Sequence, residues 1–220
     1  MQSGPRSAAP IALTFDDGPD PEWTPLVLDA LANVRAHATF FVVAPRARHF
    51  PSLLARMREE GHDVGFHCTE HVRHDAMSPD EIEADVESGF GAIECPLRLW
   101  RTPWGVVTPA TVEVARKHGL TLVGWTTDTE DWRGDPPGEM LARVNRGISP
   151  QAIVLMHDGI GPGATRDGCA MTVDVISPLI SLARSRGLEP VPLRDLRRPV
   201  PDKNPEPTVS GTGIRQVPLV

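Results

Sequence analysis

Thr14-Phe15-Asp16-Asp17-Gly18-Pro19 follows the apolar run Ile11-Ala12-Leu13, which predicts a short buried strand ending at two carboxylates and then a Gly-Pro turn. In α/β folds the loops after the strands converge at one face and carry the chemistry. Adjacent carboxylates repel each other, so a cation or a positive side chain must hold at least one of them if both are ionised. Asp-Gly-Pro-Asp-Pro is also good turn chemistry, so the rest of the chain must decide between a site and a plain turn.

Outward from this stretch, apolar runs alternate with amphipathic segments. The pattern predicts strands at 11–13, 38–43, 63–66, 97–100, 120–125, 152–156 and 188–192. It predicts helices at 24–31, 52–60, 78–94, 108–118, 138–146 and 172–186. Thr24 is the expected cap of the first helix, and Ser78 with Glu81 predicts a capping box. Such alternation predicts an α/β fold with a parallel sheet. Since no Gly-rich nucleotide loop marks a switch point, a (β/α) barrel of about seven parallel strands is favoured over an open sheet.

Composition limits the possible functions. The 220 residues carry a formal charge of −7 and no basic run, which argues against nucleic acid as a partner. No apolar stretch approaches the roughly 18 residues of a membrane span. We expect a flexible tail at 1–9, one main domain at 10–197 and a disordered Pro-rich tail at 198–220. The printed chain has no export signal, so we expect a cytoplasmic protein, or a secreted one if a leader was removed.

A histidine pair follows the third predicted strand. His67 and His71 are four residues apart and would share one face of a helical turn, where they could grip one metal ion. Two imidazoles and one carboxylate, with a position left for water, are typical of a catalytic zinc site, and cobalt or nickel would accept the same ligands. Two ordinary surface histidines are the alternative. His74, three residues further on, is interpreted as a surface residue.

Other polar motifs follow the later strands. They are Arg101-Thr102-Pro103-Trp104, Asp128-Thr129-Glu130-Asp131-Trp132 and Leu155-Met156-His157-Asp158. An arginine beside a carboxylate lowers the pKa of that carboxylate, and an aspartate beside a histidine keeps the imidazole charged and oriented. Taken singly, each motif could equally be turn packing or a solvated loop.

Taken together, the motifs resemble those of a known family. Thr-Phe-Asp-Asp-Gly-Pro, His-x-x-x-His, Arg-x-Pro-Trp, Asp-x-x-Asp-Trp and Leu-x-His-Asp occur in this order over residues 10 to about 196. The set is similar to the five motifs of the polysaccharide deacetylases, also called nodulation-type deacetylases or family 4 carbohydrate esterases. The resemblance implies a distorted β/α barrel that hydrolyses an N-acetyl or O-acetyl group of a carbohydrate or glycosylated small molecule, with the N-acetyl group of an amino sugar favoured.

The resemblance also implies roles for the first three motifs. Asp17, His67 and His71 would bind one divalent metal ion. Asp16 would be the general base, and Arg101 would be its partner.

The same resemblance implies roles for the last motifs. His157 would be the general acid, supported by Asp131. Trp132 and Leu155 would line the acetyl pocket, and the backbone N–H of Trp104 would face the developing oxyanion. An amine leaves poorly without a proton, so the second half of the chain must bring an acid to the site.

Two alternatives and one departure stay open at this point. His67-x-x-Glu70-His71 fits the H-x-x-E-H pattern of zinc peptidases with Glu70 as base, although that pattern needs a long helix. A non-catalytic carbohydrate-binding relative is the other alternative, although such proteins typically lose a ligand or the base and none is missing here. The family usually has Ser or Thr after the first ligand histidine, whereas this chain has Cys68, which would alter hydrogen bonding around the ligands. Cysteines are odd in number, so no disulfide framework is expected.

Overall fold

Strands and helices alternate along the chain, as the hydrophobic pattern predicts. The computed structural model describes residues 8–93 and 97–196. The strands are β1 (Ala9–Asp16), β2 (Thr39–Val43), β3 (Asp63–Cys68), β4 (Leu99–Trp100), β5 (Thr121–Leu122), β6 (Thr127–Asp128), β7 (Ile153–His157) and β8 (Leu188–Pro190). The helices are α1 (Trp23–Asn33), α2 (Ala44–His49), α3 (Pro51–Glu59), α4 (Pro79–Ala92), α5 (Pro109–Lys117), α6 (Pro137–Val144), α7 (Ala170–Ser185) and α8 (Leu193–Leu196).

The predicted tails fall almost wholly outside the described residues. Ala9, placed in the predicted N-terminal tail, already belongs to β1 and pairs with Leu188 of β8. The predicted C-terminal tail, 198–220, lies outside the described residues, and so does Cys95. Among the residues that the structure describes, no helix is long and apolar enough to cross a membrane.

The helix starts test two of the capping predictions. The capping box is confirmed, because Ser78 Oγ accepts from Glu81 N–H and Glu81 Oε2 accepts from Ser78 N–H. The predicted cap at Thr24 is wrong. Asp20 Oδ1 accepts backbone N–H groups of the first turn at 2.9 and 3.0 Å, while the Thr24 hydroxyl donates to Asp158 at 2.5 Å. Because the Thr24 hydroxyl is oriented toward the buried Asp158, it does not cap α1.

All strand pairs of the sheet are parallel, and their order is β5-β4-β3-β2-β1-β7-β6, with β8 beside β1. Of the strand predicted at 120–125, only Thr121 and Leu122 form a strand, β5; the next strand, β6, begins at Thr127 and lies at the opposite end of this order. Val123 N–H still donates to Trp100 O beside β4, whereas Thr126 N–H donates to Ile153 O beside β7, so the chain changes partner in between. The chain from Leu122, where β5 ends, to Thr127, where β6 begins, spans at most about 18 Å when fully extended. The two ends of the sheet therefore lie close together, and the sheet curls into a distorted barrel.

Alternate residues of β1 face opposite sides of this curled sheet. Leu13 and Phe15 belong to the large hydrophobic cluster between the sheet and the helices. Ala12 belongs to a smaller cluster inside the barrel. The same alternation turns Thr14 and Asp16 toward the interior.

Strand β7 repeats this pattern. Val154 and Met156 pack in the large outer cluster, and Ile153 packs in the inner one. Leu155 and His157 therefore face the interior, beside the inward residues of β1.

Candidate active site

The C-terminal ends of the strands surround a cavity of about 290 Å³. Parallel register places Asp16 of β1 directly beside His157 of β7. Arg101 and Asp131 do not line the cavity; both are fully buried behind it, and each is bound to a residue that does. The remaining predicted site residues all line it, namely Asp16, Asp17, His67, His71, Trp104, Trp132, Leu155 and His157.

Three predicted metal ligands converge on one point. His67 Nε2 and His71 Nε2 are 3.3 Å apart, and they lie 3.4 and 3.2 Å from Asp17 Oδ1. Ligand atoms about 2.0–2.1 Å from a tetrahedral ion are separated by about 3.3 Å, so the triangle has the dimensions of a zinc-type site. Asp17 Oδ1 is buried without a hydrogen-bond donor, which a positive ion would supply.

Neighbouring groups orient these ligands. His67 Nδ1 donates to Arg101 O at 2.7 Å, since a carbonyl oxygen can only accept, and this leaves the Nε2 lone pair directed at the cluster. Asp85 accepts the backbone N–H groups of Thr69 and Glu70 and so fixes the turn between the two histidines. Burial raises the pKa of Asp17, but the imidazoles of His67 and His71, when protonated, outweigh burial and hold that pKa well below its usual range.

The backbone conformation that brings the two histidines together differs from the predicted one. His67 belongs to β3 and His71 to the irregular turn that follows, so the predicted shared helical turn is wrong. The strand end and the turn fixed by Asp85 bring the rings together instead. The H-x-x-E-H peptidase alternative fails for the same reason, because no helix carries the motif, and Glu70 is exposed.

Arg101 fixes Asp16. Its Nη1 donates to Asp16 Oδ1 at 2.9 Å and to Thr14 Oγ1 at 2.7 Å, while the rest of the guanidinium donates to Val123 O and Gly124 O. The guanidinium also stacks on the ring of Phe41, 4.3 Å from the ring centroid. A fully buried arginine with these partners is a fixed positive charge that stabilises an ionised carboxylate at the cavity wall.

The second charged pair is His157 with Asp131. His157 Nδ1 lies 2.7 Å from Asp131 Oδ1, and His157 N–H donates to Asp131 Oδ2 at 2.9 Å. Burial lowers the pKa of His157, but the charge and hydrogen bond of Asp131 outweigh it and raise the pKa to about 9. Burial raises the pKa of Asp131, but the charge of His157 outweighs it and lowers the pKa to about 2. At neutral pH a charged imidazole therefore faces the cavity, and an ionised carboxylate is buried behind it.

Apolar side chains form the walls of the cavity. Leu155 is buried, whereas Trp104 and Trp132 are large apolar residues that remain partly exposed, at 45% and 37%. Trp104 adopts a left-handed backbone conformation with φ of 52°, and its ring packs edge-on against His71 at 4.4 Å. Bulky residues rarely adopt this conformation, and such strain concentrates at functional sites.

Several residues that the sequence did not assign also support the site. Asp158 belongs to a quoted motif but was given no role; it is fully buried, and burial raises its pKa to about 7. Arg46 donates to Asp17 O at 2.8 Å and to Ile160 O, which joins the loops after β1 and β7. Arg166 contacts both Asp131 and the backbone of His157. The two arginines lie outside any sequence pattern, and only the tertiary fold brings them here.

Two further residues bear on the predictions. His74 is buried, not on the surface: Thr111 Oγ1 is 2.9 Å from its Nδ1, and its ring packs on Trp100. Cys68 is also buried, and burial raises the pKa of its thiol well above 9.0. Cys68 is not among the three side chains whose ligand atoms converge on the metal position.

Comparison with known proteins gives a consistent result. Residues 3–123 match the family model described as polysaccharide deacetylase. A chitooligosaccharide deacetylase of Bradyrhizobium is 38% identical over 205 residues, covering 88% of this chain and 92% of the relative. A peptidoglycan-N-acetylglucosamine deacetylase of Bacillus cereus is 32% identical over 199 residues, covering 88% and 91%.

A solved structure shares the fold. The crystal structure of the Bc1960 peptidoglycan N-acetylglucosamine deacetylase superimposes with a TM-score of 0.78 at 28% sequence identity. The match covers 88% of this chain and 90% of that one.

Proposed function

The chain belongs to the polysaccharide deacetylase family, and from this premise we propose that it hydrolyses the N-acetyl group of an amino sugar. One observation carries the proposal: a triangle of metal ligands lies in the same cavity as a carboxylate fixed by Arg101 and a charged imidazole fixed by Asp131. Amide hydrolysis needs an activated water and a proton donor for a poor leaving group, and this arrangement offers both.

The fit of the ligand triangle supports one divalent ion held by Asp17, His67 and His71, with zinc as the first choice and cobalt or nickel as alternatives. When bound, such an ion would lower the pKa of a water molecule and polarise the acyl oxygen. Three protein ligands leave a position open, as catalytic zinc sites do.

Different residues carry out the two proton transfers of the reaction. Asp16 takes the proton from the attacking water, whose oxygen forms the new bond to the acyl carbon. The backbone N–H of Trp104 stabilises the charge that develops on the acyl oxygen. His157 gives its proton to the nitrogen as the C–N bond breaks, so acetate and a free amine result. Trp132 and Leu155 enclose the methyl group of the acetyl.

The dimensions of the cavity favour a short substrate. About 290 Å³ lies just below the usual range for ligand pockets and suits an acetamido group with one sugar ring. Two partly exposed tryptophans at the cavity offer flat apolar faces to such a ring. We therefore propose a small N-acetylated amino-sugar compound or short oligosaccharide as substrate, with much weaker activity on polymers. The similarity to a chitooligosaccharide deacetylase supports this choice.

A substrate panel tests the proposal. Metal-loaded enzyme is given N-acetylglucosamine oligomers of increasing length, an N-acetyl glycoside with an apolar aglycone, insoluble peptidoglycan and acetylxylan. We expect acetate and primary amine in equal amounts, with short amide substrates preferred. Preference for intact peptidoglycan would contradict the small substrate, and preference for acetylxylan would contradict N-deacetylation. No acetate from any substrate would favour a non-catalytic binding protein.

The panel needs two control variants. Asp16→Asn should release no acetate from any of these substrates. Asp135→Asn removes a carboxylate that is paired with Arg133 and Arg143 and does not line the cavity, and it should behave as the unmodified enzyme.

A further inference from the structure

Arg166 is a buried cation behind the general acid. It lies in the loop after β7, its side chain is only 3% exposed, and it contributes to the cavity wall. Resting on the proposed function, we propose that Arg166 is a positioning residue for the proton donor: it locks the Asp131 carboxylate so that Oδ1 is presented to the imidazole of His157.

The guanidinium bridges both members of the pair. Nη1 donates to Asp131 Oδ2 at 3.0 Å and to Asp131 O at 3.2 Å. Nη2 donates to His157 O at 3.2 Å and to Gly159 O at 3.1 Å. One rigid fork therefore sets the distance between the end of β7 and the 3₁₀ turn Asp131–Arg133, which lie on different segments of the chain.

The two carboxylate oxygens of Asp131 have different partners, and this difference explains why the contact with Arg166 matters for the orientation of His157. Asp131 Oδ2 accepts from Arg166, from the Thr172 hydroxyl at 2.6 Å and from His157 N–H at 2.9 Å. Oδ1 faces only the imidazole among the hydrogen bonds of the described residues. With Oδ2 held by three donors, the carboxylate cannot rotate without breaking them, so the imidazole has one fixed partner and one orientation.

Neither of the other two donors can replace the arginine. Thr172 belongs to α7 and is uncharged, and its hydroxyl also accepts a hydrogen bond from the guanidinium. The N–H of His157 moves with the residue that has to be oriented. Arg166 is the one donor of the three that is itself charged, so its contact adds an ion pair to the hydrogen bond.

The test compares three variants of the metal-loaded full chain. Arg166→Met keeps the length of the side chain without its donors, and Arg166→Lys keeps the charge without the fork. Arg143→Met is the matched control, because Arg143 holds Thr129 O and Asp135 of the neighbouring segment but does not contact Asp131. Thermal unfolding establishes that each variant is folded.

The first measurement is the loss of kcat on an N-acetyl amino sugar relative to an activated acetyl ester, which needs no proton donor. Arg166→Met should lose about 100-fold on the amide and less than about fivefold on the ester, with KM little changed on both, and Arg166→Lys should recover part of the loss. Arg143→Met should leave the ratio unchanged. Equal losses on amide and ester, or no loss in Arg166→Met, would overturn the proposal.

The second measurement does not depend on the reaction. The hydrogen-bonded Nδ1 proton of His157 should give a protected downfield proton resonance, assigned by its disappearance in Asp131→Asn. The resonance should vanish or move in Arg166→Met, move less in Arg166→Lys and persist in Arg143→Met. An unchanged resonance in both Arg166 variants would overturn the positioning role even if the enzyme proved to have a different substrate. If Arg166→Met does not fold, Arg166→Lys alone decides both measurements.

Discussion

Replacing Asp131 by asparagine should move the alkaline limit of activity. The carboxylate is the main cause that raises the pKa of His157 to about 9, while burial acts in the opposite direction. Without the charge, burial is opposed far less, and the pKa of His157 should fall to 6.5 or below. The general acid must be protonated to act, so Asp131→Asn should be inactive at a pH where the unmodified enzyme still works.

The size of the effect follows from the two pKa values. At pH 8 about nine-tenths of His157 is protonated with a pKa of about 9, against about 3% with a pKa of 6.5. The protonated fraction falls about 30-fold, which sets the minimum loss of kcat/KM at this pH. Loss of orientation adds to it, since Asp131 also holds the imidazole through its hydrogen bond.

The same pair should contribute to stability in a defined pH window. The folded pKa of His157 is raised, so its contribution is fully present below about pH 6.5 and is lost as the pH rises through about 9. A difference of about 2.5 pH units corresponds to about 3 kcal/mol in the free energy of unfolding. For Asp131, with its folded pKa lowered to about 2, the contribution is present above 3.8 and is lost as the pH falls toward 2.

The assay is kcat/KM against pH on an N-acetyl amino sugar, together with unfolding temperatures over the same range. Asp131→Asn should shift the alkaline limb by at least about two units and flatten the fall in stability between pH 6.5 and 9. Asp135→Asn, a carboxylate in the same segment paired with Arg143, should do neither. An alkaline limb that stays in place in Asp131→Asn would refute the assignment of His157 as the acid.

Three further predictions concern the metal ligands and the acid. Asp16→Asn should keep the metal and lose about 10²–10⁴-fold in kcat, whereas Asp17→Asn should weaken metal binding by at least about 100-fold; metal analysis of both purified proteins decides, and the opposite result would reverse their roles. His157→Ala should lose about 10²-fold or more on an amide but less than about tenfold on a nitrophenyl ester, because nitrophenolate leaves without a proton, and equal losses would remove His157 from the acid role. Gly161→Ala should weaken metal binding about tenfold or more, since a Cβ there would overlap Asp17 Oδ2, and unchanged metal affinity would show that this contact is relaxed without cost.

Much of the site could be predicted because the functional residues sit at strand ends. The alternation of inward and outward residues in β1 is fixed by apolar Leu13 and Phe15, and it turns Asp16 inward without any knowledge of the tertiary fold. The ordered motifs then identified which strand ends carry the partners. Local pattern was sufficient wherever a residue and its role lie in one short segment.

Prediction failed where the deciding contact is distant in sequence and no family motif marks it. Thr24 has the chemistry of a helix cap but donates to Asp158, 134 residues away. His74 is polar and follows a turn, yet Thr111 and Trp100 bury it. Arg166 lies in a loop with no periodicity, so nothing in its own segment indicates that it binds Asp131.

The predicted strand at 120–125 failed for a related reason. Its apolar pattern is continuous, but its pairing beside β4 ends at Val123, which bonds to Trp100, and Ile153 bonds to Thr126, just past the predicted end. The intervening carbonyls of Val123 and Gly124 accept from Arg101 instead. The backbone of this segment thus binds the buried Arg101 and does not continue as a strand.

The most direct test of the account is a metal titration of activity. Purified protein is stripped with a chelator, and zinc, cobalt or nickel is added back stepwise while acetate release from an N-acetylglucosamine oligosaccharide and bound metal are measured on the same samples. The account predicts no activity in the stripped protein, recovery that is linear up to one equivalent of bound metal, and no tight binding by Asp17→Asn. Acetate release that survives full removal of the metal, or recovery without metal bound at Asp17, His67 and His71, would contradict it.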